Sequence, residues 1–202
     1  MSTVKLAIIY YSSTGTNFQS ANWAKEAAQQ HAGEVKLLKI AETAPQAAID
    51  ANPQWKAHTE AAKDIPTVSL ADLEWADALM FCIPTRYGNV PSQVQAFLDT
   101  TGGLWFNGKL TNKVVTATSS AQNPHGGQEA TLLSFYTTMF HWGAIIAAPG
   151  FTDKTIFAAG GNPYGTSVTA NGSAPGDEIK EAIAHQVKRM LQIAGWVKAG
   201  NS

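Results

Sequence analysis

Val4-Lys5-Leu6-Ala7-Ile8-Ile9-Tyr10-Tyr11-Ser12-Ser13-Thr14-Gly15-Thr16-Asn17 decides the fold. Val4 to Tyr11 is an almost unbroken apolar and β-branched run, the pattern of a strand buried on both faces in a parallel sheet. It switches abruptly to hydroxyl side chains around one glycine. Phe18 to Ala28 follows, with good helix formers and apolar residues at helical spacing. A polar turn therefore joins a buried strand to a helix N-terminus. The first N–H groups of a helix lack internal partners and its dipole favours negative charge, so the junction is suited to a phosphate. Gly15 lets the backbone approach a ligand. Ser12, Ser13, Thr14, Thr16 and Asn17 offer further donors. With no Lys or Arg in the loop, neutral donors alone are expected to hold the anion.

The Gly-Lys-Ser/Thr ending of a nucleoside-triphosphatase loop is absent, and so are the three glycines of a dinucleotide fingerprint. What remains, Ser-x-Thr-Gly-x-Asn directly after the first strand, resembles the FMN-phosphate loop of flavodoxin-like proteins. The competing reading of the same residues is a hydroxyl-rich turn that caps a helix.

The 202 residues suit one domain, with irregular insertions at about 41–67 and 150–176. Only 14% of residues are charged, well below the usual quarter, so ligand or other subunits are expected to cover much surface. A net charge of −1 gives no reason to propose nucleic acid or an anionic membrane. A single cysteine forms no internal disulfide. No signal peptide is visible before the first strand, and no apolar run is long enough to span a bilayer. A cytoplasmic location is expected.

Glu34 to Ile40 reads as a second strand. A short helix is expected around Pro53 to Ala62, and a helical turn over Leu70 to Trp75. Ala78 to Ile83 is a third strand, ending in Pro84-Thr85-Arg86-Tyr87-Gly88-Asn89. Ser92 to Thr100 is a helix. Lys113 to Ser119 is a fourth strand that runs into a polar loop, Ser120 to Gly127. Gln128 to His141 is helical, Ala144 to Ala148 a fifth strand, and Asp177 to Ala194 a closing helix. The stretch from Gly150 to Gly176 is too long for an ordinary connection. Alternation of strands and helices implies an α/β, doubly wound parallel sheet. In the flavodoxin-like order 2-1-3-4-5, strands one, three and four are neighbours. Their polar loops then converge on one crevice at the carboxyl ends.

Pro84-Thr85-Arg86-Tyr87-Gly88-Asn89, Phe97-Leu98-Asp99-x-Thr101-Gly102-Gly103-Leu104-Trp105, Gly126-Gly127-Gln128-Glu129 and Pro163-Tyr164-Gly165 together resemble the WrbA family of flavodoxin-like NAD(P)H:quinone oxidoreductases. The resemblance implies bound FMN, a homotetramer with sites near subunit interfaces, and two-electron reduction of quinones by NADH or NADPH. It implies that Ser12, Ser13, Thr14, Gly15, Thr16 and Asn17 hold the FMN phosphate. Pro84, Thr85, Arg86, Tyr87 and Gly88 would lie beside the isoalloxazine ring, with Ser119, Ser120, Ala121, Gln122 and Asn123 as the second ring-side segment. His141 matches a histidine at the flavin of a neighbouring subunit and is the candidate catalytic donor. Trp105 matches a tryptophan at the quinone position. Thr14 stands where the family often has an aromatic residue that helps hold the nicotinamide nucleotide. The loop after strand four is one residue longer than the family pattern.

Flavin would supply the redox chemistry and the protein its placement. Nicotinamide and quinone are both planar, so one slot over the ring would serve them in turn in a ping-pong scheme. Arg86 is either a positive charge near the reduced flavin or an ordinary exposed turn residue. Tyr87 and Trp105 are either walls of the slot or packing anchors. His125 is a weaker candidate for the role of His141, and Cys82 reads as an inert strand residue. His, Cys and acidic residues show no metal-ligand spacing, and no Gly-x-Ser-x-Gly elbow appears. The rival functions are a flavodoxin-type electron carrier and a regulatory protein that holds FMN structurally. Carriers are usually strongly acidic to steer basic partners, which a net charge of −1 disfavours.

Overall fold

The computed structural model describes residues 3–171 and 175–200. Its sheet follows the order β2-β1-β3-β4-β5 and is parallel throughout. The strands on this path are β1 (Lys5–Tyr10), β2 (Glu34–Lys39), β3 (Ala78–Pro84), β4 (Val114–Ala121) and β5 (Ile145–Ile146). The helices are α1 (Thr16–Ala28), α2 (Gln46–Asp50), α3 (Pro53–Ala61), α4 (Leu70–Trp75), α5 (Ser92–Asp99), α6 (Gly102–Phe106), α7 (Gln128–His141), α8 (Lys154–Ala158) and α9 (Asp177–Gly200).

The apolar runs form central strands because both sheet faces are covered. Alternate residues enter separate cores. Leu6, Ile8 and Tyr10 join Met80 and Cys82 against Ala21 and Ala24 of α1 and Ile183, Val187 and Met190 of α9. Ala7 and Ile9 join Leu79, Phe81 and Ile83 against Leu73 of α4, Val94 of α5 and Leu132, Phe135 and Met139 of α7. Leu6, Ile8 and Ile9 are completely buried, and each contributes about 1.5–3 kcal/mol by leaving water. Cys82 lies fully inside this layer, and burial pushes its thiol pKa up to about 12, so it stays protonated.

Several expectations require correction. The fifth strand is not Ala144 to Ala148 but only Ile145–Ile146, paired with Val114 and Val115. A sixth strand, β6 (Ser167–Thr169), pairs with Ser119, Ser120 and Ala121 farther along β4. The 150–176 segment thus resumes the edge position that β5 begins, after an excursion that includes α8; residues 172–174 of that stretch lie outside the described residues. Because β6 covers the carboxyl end of β4, Ser120 and Ala121 are strand residues and not loop. The helix α6 was not expected, and the 41–67 excursion carries α2 besides the expected α3. The closing helix runs to Gly200. Among the described residues, no helix is long and apolar enough to cross a membrane.

Candidate functional site

The carboxyl ends of β1, β3 and β4 bring three loops together. In the first, Gly15 adopts φ +99 and caps α1, a conformation costly for any side chain. The Ser12 hydroxyl accepts hydrogen bonds from the N–H groups of Gly15 (2.9 Å) and Asn17 (3.3 Å) and folds the loop around itself. The N–H groups of Thr16 and Phe18 have no acceptor among the described residues, leaving the orphan donors of a helix start open. Thr14 is exposed.

The second loop is a tight hairpin. Arg86 N–H donates to Asn89 O (2.9 Å) and Asn89 N–H to Arg86 O (3.0 Å). Tyr87 and Gly88 between them have φ +54 and +79, the positive pair that a two-residue type I′ turn demands. The Tyr87 ring is fully exposed. Thr85 is spent on the framework: its hydroxyl oxygen accepts from Gly88 N–H (3.1 Å) and from the Thr131 hydroxyl of α7 (2.7 Å). The turn packs so closely on the start of α7 that a Cβ on Gly127 would lie 2.8 Å from the Gly88 Cα. The Arg86 guanidinium donates to Ser13 Oγ at 3.2 Å and so spans from this loop to the first.

On β4, Ser120 Oγ accepts from the Asn17 side-chain amide at 3.0 Å and ties the strand to α1. Gln122 is exposed. Asn123 organises its own turn, its side-chain oxygen accepting from His125 N–H (3.1 Å) and its carbonyl from the Gln128 amide (2.9 Å). His125 faces a separate cleft of about 890 Å³ beside Glu129 and Asn162.

Beneath the loops, Asn17 Oδ1 and the Tyr10 hydroxyl on the α1 face of the sheet, and Ser119 Oγ on its α7 face, are buried without a hydrogen-bond partner among the described residues. Burial pushes the Tyr10 pKa up to about 12. Buried polar atoms left unpaired are costly and uncommon. An anion needs donors, and the start of α1 offers them: the open N–H groups of Thr16 and Phe18 and the buried, unpartnered Tyr10 hydroxyl, whose ring packs on Phe18, suit the phosphate end of FMN.

His141 and Trp105 are not in this crevice. The helix α7 leaves the carboxyl end of β4 and returns to the amino end of β5, so its 14 residues carry His141 about 20 Å along the axis. There the Trp105 indole N–H donates to His141 O at 2.8 Å. Both line a shallow hollow of about 530 Å³ together with Asp99, Thr101 and Thr138. Within one chain the structure joins these two residues to each other and separates them from the loops.

Sequence reasoning missed Glu42 and His58. Glu42 accepts from the Tyr11 hydroxyl (3.0 Å), the Trp55 indole N–H (3.2 Å) and the Gln93 amide (3.0 Å). Burial, opposed by the Ser13 hydrogen bond and reinforced by Glu42, pushes the Tyr11 pKa up to about 12. The one clue in the sequence was the position of Glu42, just past the carboxyl end of β2.

A family model described as NADPH-dependent FMN reductase matches residues 4–153. An NAD(P)H dehydrogenase (quinone) of Deinococcus radiodurans is 54% identical over 190 residues, covering 94% of this chain and 95% of that protein. The crystal structure of a flavodoxin, WrbA-like protein from Agrobacterium tumefaciens shares the fold with a TM-score of 0.67 at 18% identity, covering 96% of this chain and 98% of that one. The chain belongs to the WrbA family. Another relative, the NAD(P)H dehydrogenase (quinone) of Azorhizobium caulinodans, is 37% identical over 197 residues, with 94% and 96% coverage. WrbA-family membership agrees with the sheet order and with the crevice between the loops of β1 and β3.

Proposed function

We propose that the protein is an FMN-dependent NAD(P)H:quinone oxidoreductase that works as a cytoplasmic homotetramer. The carrying observation is the open start of α1, where the N–H groups of Thr16 and Phe18 have no acceptor among the described residues and the Tyr10 hydroxyl beside Phe18 is buried and unpartnered. Bound FMN would supply two-electron redox chemistry between a nicotinamide and a quinone. Ser12 to Asn17 would hold its phosphate on the α1 dipole. Pro84 to Gly88 and Ser119 to Asn123 would flank the ring, with loop N–H groups and Arg86 stabilising negative charge on the ring's pyrimidine edge. Tyr87 stands free to wall a slot that nicotinamide and quinone occupy in turn.

His141 and Trp105 reach a flavin only from another subunit. Their end of the molecule carries exposed apolar side chains, Phe106 next to Trp105 and Phe140 next to His141, the kind of surface that subunits cover. The assay uses FMN-loaded protein with NADH or NADPH and a benzoquinone. Rapid, saturable nicotinamide oxidation matched by quinone loss is expected. Failure of both nicotinamides to bleach the flavin would overturn the proposal.

A further inference from the structure

We propose that His58 is a cofactor-contacting residue, supplied by α3, that closes over the β1–α1 loop and donates to the phosphate of the bound mononucleotide. The inference rests on the flavin reading above and adds to it a donor from the 41–67 excursion.

His58 Nδ1 lies 3.6 Å from the point where a Cβ on Gly15 would stand, so the imidazole faces the turn that starts α1. Its ring packs on Phe18 at 5.4 Å and Tyr10 at 6.2 Å between centroids. These contacts fix the ring's plane while leaving its edge toward the loop. Neither ring nitrogen has a hydrogen-bond partner among the described residues. The neighbouring open groups are the N–H donors of Thr16 and Phe18 at the start of α1.

The helix that carries His58 is anchored for this position. Asn52 caps it, its side-chain oxygen accepting from Gln54 N–H and Trp55 N–H, both at 3.1 Å. One turn before His58, and so on the same face, the Trp55 indole is held by Glu42. Glu42 also grips Tyr11 at the end of β1 and Gln93 of α5. One carboxylate thus clamps α3 against the strand end and helix that frame the crevice.

The charged groups around His58 are engaged elsewhere. Lys39 of β2 donates to the carbonyls of Ala62 and Lys63, at 2.7 and 3.3 Å. On α3 itself, Lys56 pairs with Asp50 and Glu60 with Lys63. Tyr10 of β1 is neutral, the first turn of α1 has no acidic residue, and Arg86 approaches from the opposite side through Ser13. Burial first, then Lys39, lowers the His58 pKa. A phosphate would pull in the other direction and bind with uptake of a proton.

The test compares FMN with riboflavin, which lacks the phosphate, on full-length apoprotein by fluorescence titration at pH 6 and pH 8. His58→Gln is expected to weaken FMN binding about tenfold at pH 6, less at pH 8, with riboflavin binding unchanged. His58→Lys is expected to recover FMN affinity at both pH values. Calorimetry in two buffers should find proton uptake on FMN binding by wild type and not by His58→Gln. Unchanged FMN affinity in His58→Gln, or equal losses for FMN and riboflavin, would overturn the role of His58 and leave the flavin reading standing. Wild-type protein that binds neither flavin would overturn both.

Discussion

The Trp105 indole N–H donates to the main-chain oxygen of His141 at 2.8 Å. The two candidates for substrate contact are thus one unit, at the opposite end of α7 from the loops proposed to hold flavin. Because the acceptor is main chain, His141→Ala leaves that hydrogen bond in place and removes only the imidazole. Gly15→Val, by contrast, forces a β-branched residue into φ +99 and breaks the loop between β1 and α1. If a site takes its loops from one chain and His141 from another, each variant alone is expected to lose at least about tenfold in activity. Dissociated and reassembled together, they should regain about a quarter of wild-type activity, since half of the chains carry each intact part. Steady-state NAD(P)H oxidation by the mixture checks this, and a mixture no better than its parents would place His141 outside the reaction.

Tyr87 holds a left-handed conformation with its ring in solvent. Among the described residues nothing packs against the ring to offset the backbone cost. Tyr87→Gly is expected to stabilise the protein by about 1 kcal/mol, a rise of about 2–4 °C in melting temperature for a chain of this size. If the ring walls the substrate slot, KM for quinone should rise in the same variant. Gain of stability together with unchanged KM would remove Tyr87 from the slot.

The strand–loop–helix start was legible because its determinants are local: an apolar run, a glycine with hydroxyls, and helical spacing. The bounds of α7 were legible for the same reason. Ser120 and Ala121 were not, because their strand character comes from a partner far along the chain. Ser120 registers with Val168, and Ser119 N–H donates to Thr166 O at 3.2 Å. A run of Ser, Ala and Gln reads as loop until that neighbour is in place. β5 failed in the opposite sense. Ala147 N–H still donates to Val115 O at 2.8 Å, but the chain then departs and β6 supplies the rest of the edge. Glu42 and His58 were invisible because only the tertiary docking of α3 brings them to the loop.

Gln186 fastens that resumed edge to the sheet. Fully buried on α9, it accepts from Thr166 N–H (3.0 Å) and the Thr166 hydroxyl (2.8 Å). Its amide donates to Thr116 Oγ1 (2.7 Å) and Ala117 O (2.9 Å). Gln186→Leu keeps the volume but strands several buried polar groups, at a cost of about 3 kcal/mol. The urea unfolding midpoint should fall accordingly. A variant as stable as wild type would mean that these groups find other partners.

The pH dependence of apoprotein stability follows from His58. Burial, followed by repulsion from Lys39, holds its imidazole below the ordinary 6.5. Between the folded value and 6.5 the unfolded chain therefore binds more protons than the folded one. The contribution is fully present above 6.5 and drains away as the pH falls through the folded value. Apoprotein melting temperature should decline on acidification across this window, and His58→Gln should decline less steeply, because glutamine does not titrate. Saturating FMN should oppose the wild-type decline, since a phosphate beside the imidazole favours its protonated form. Parallel melting curves of wild type and His58→Gln across pH 5 to 8, in the absence of FMN, would mean that His58 titrates as freely in the folded protein as in the unfolded chain.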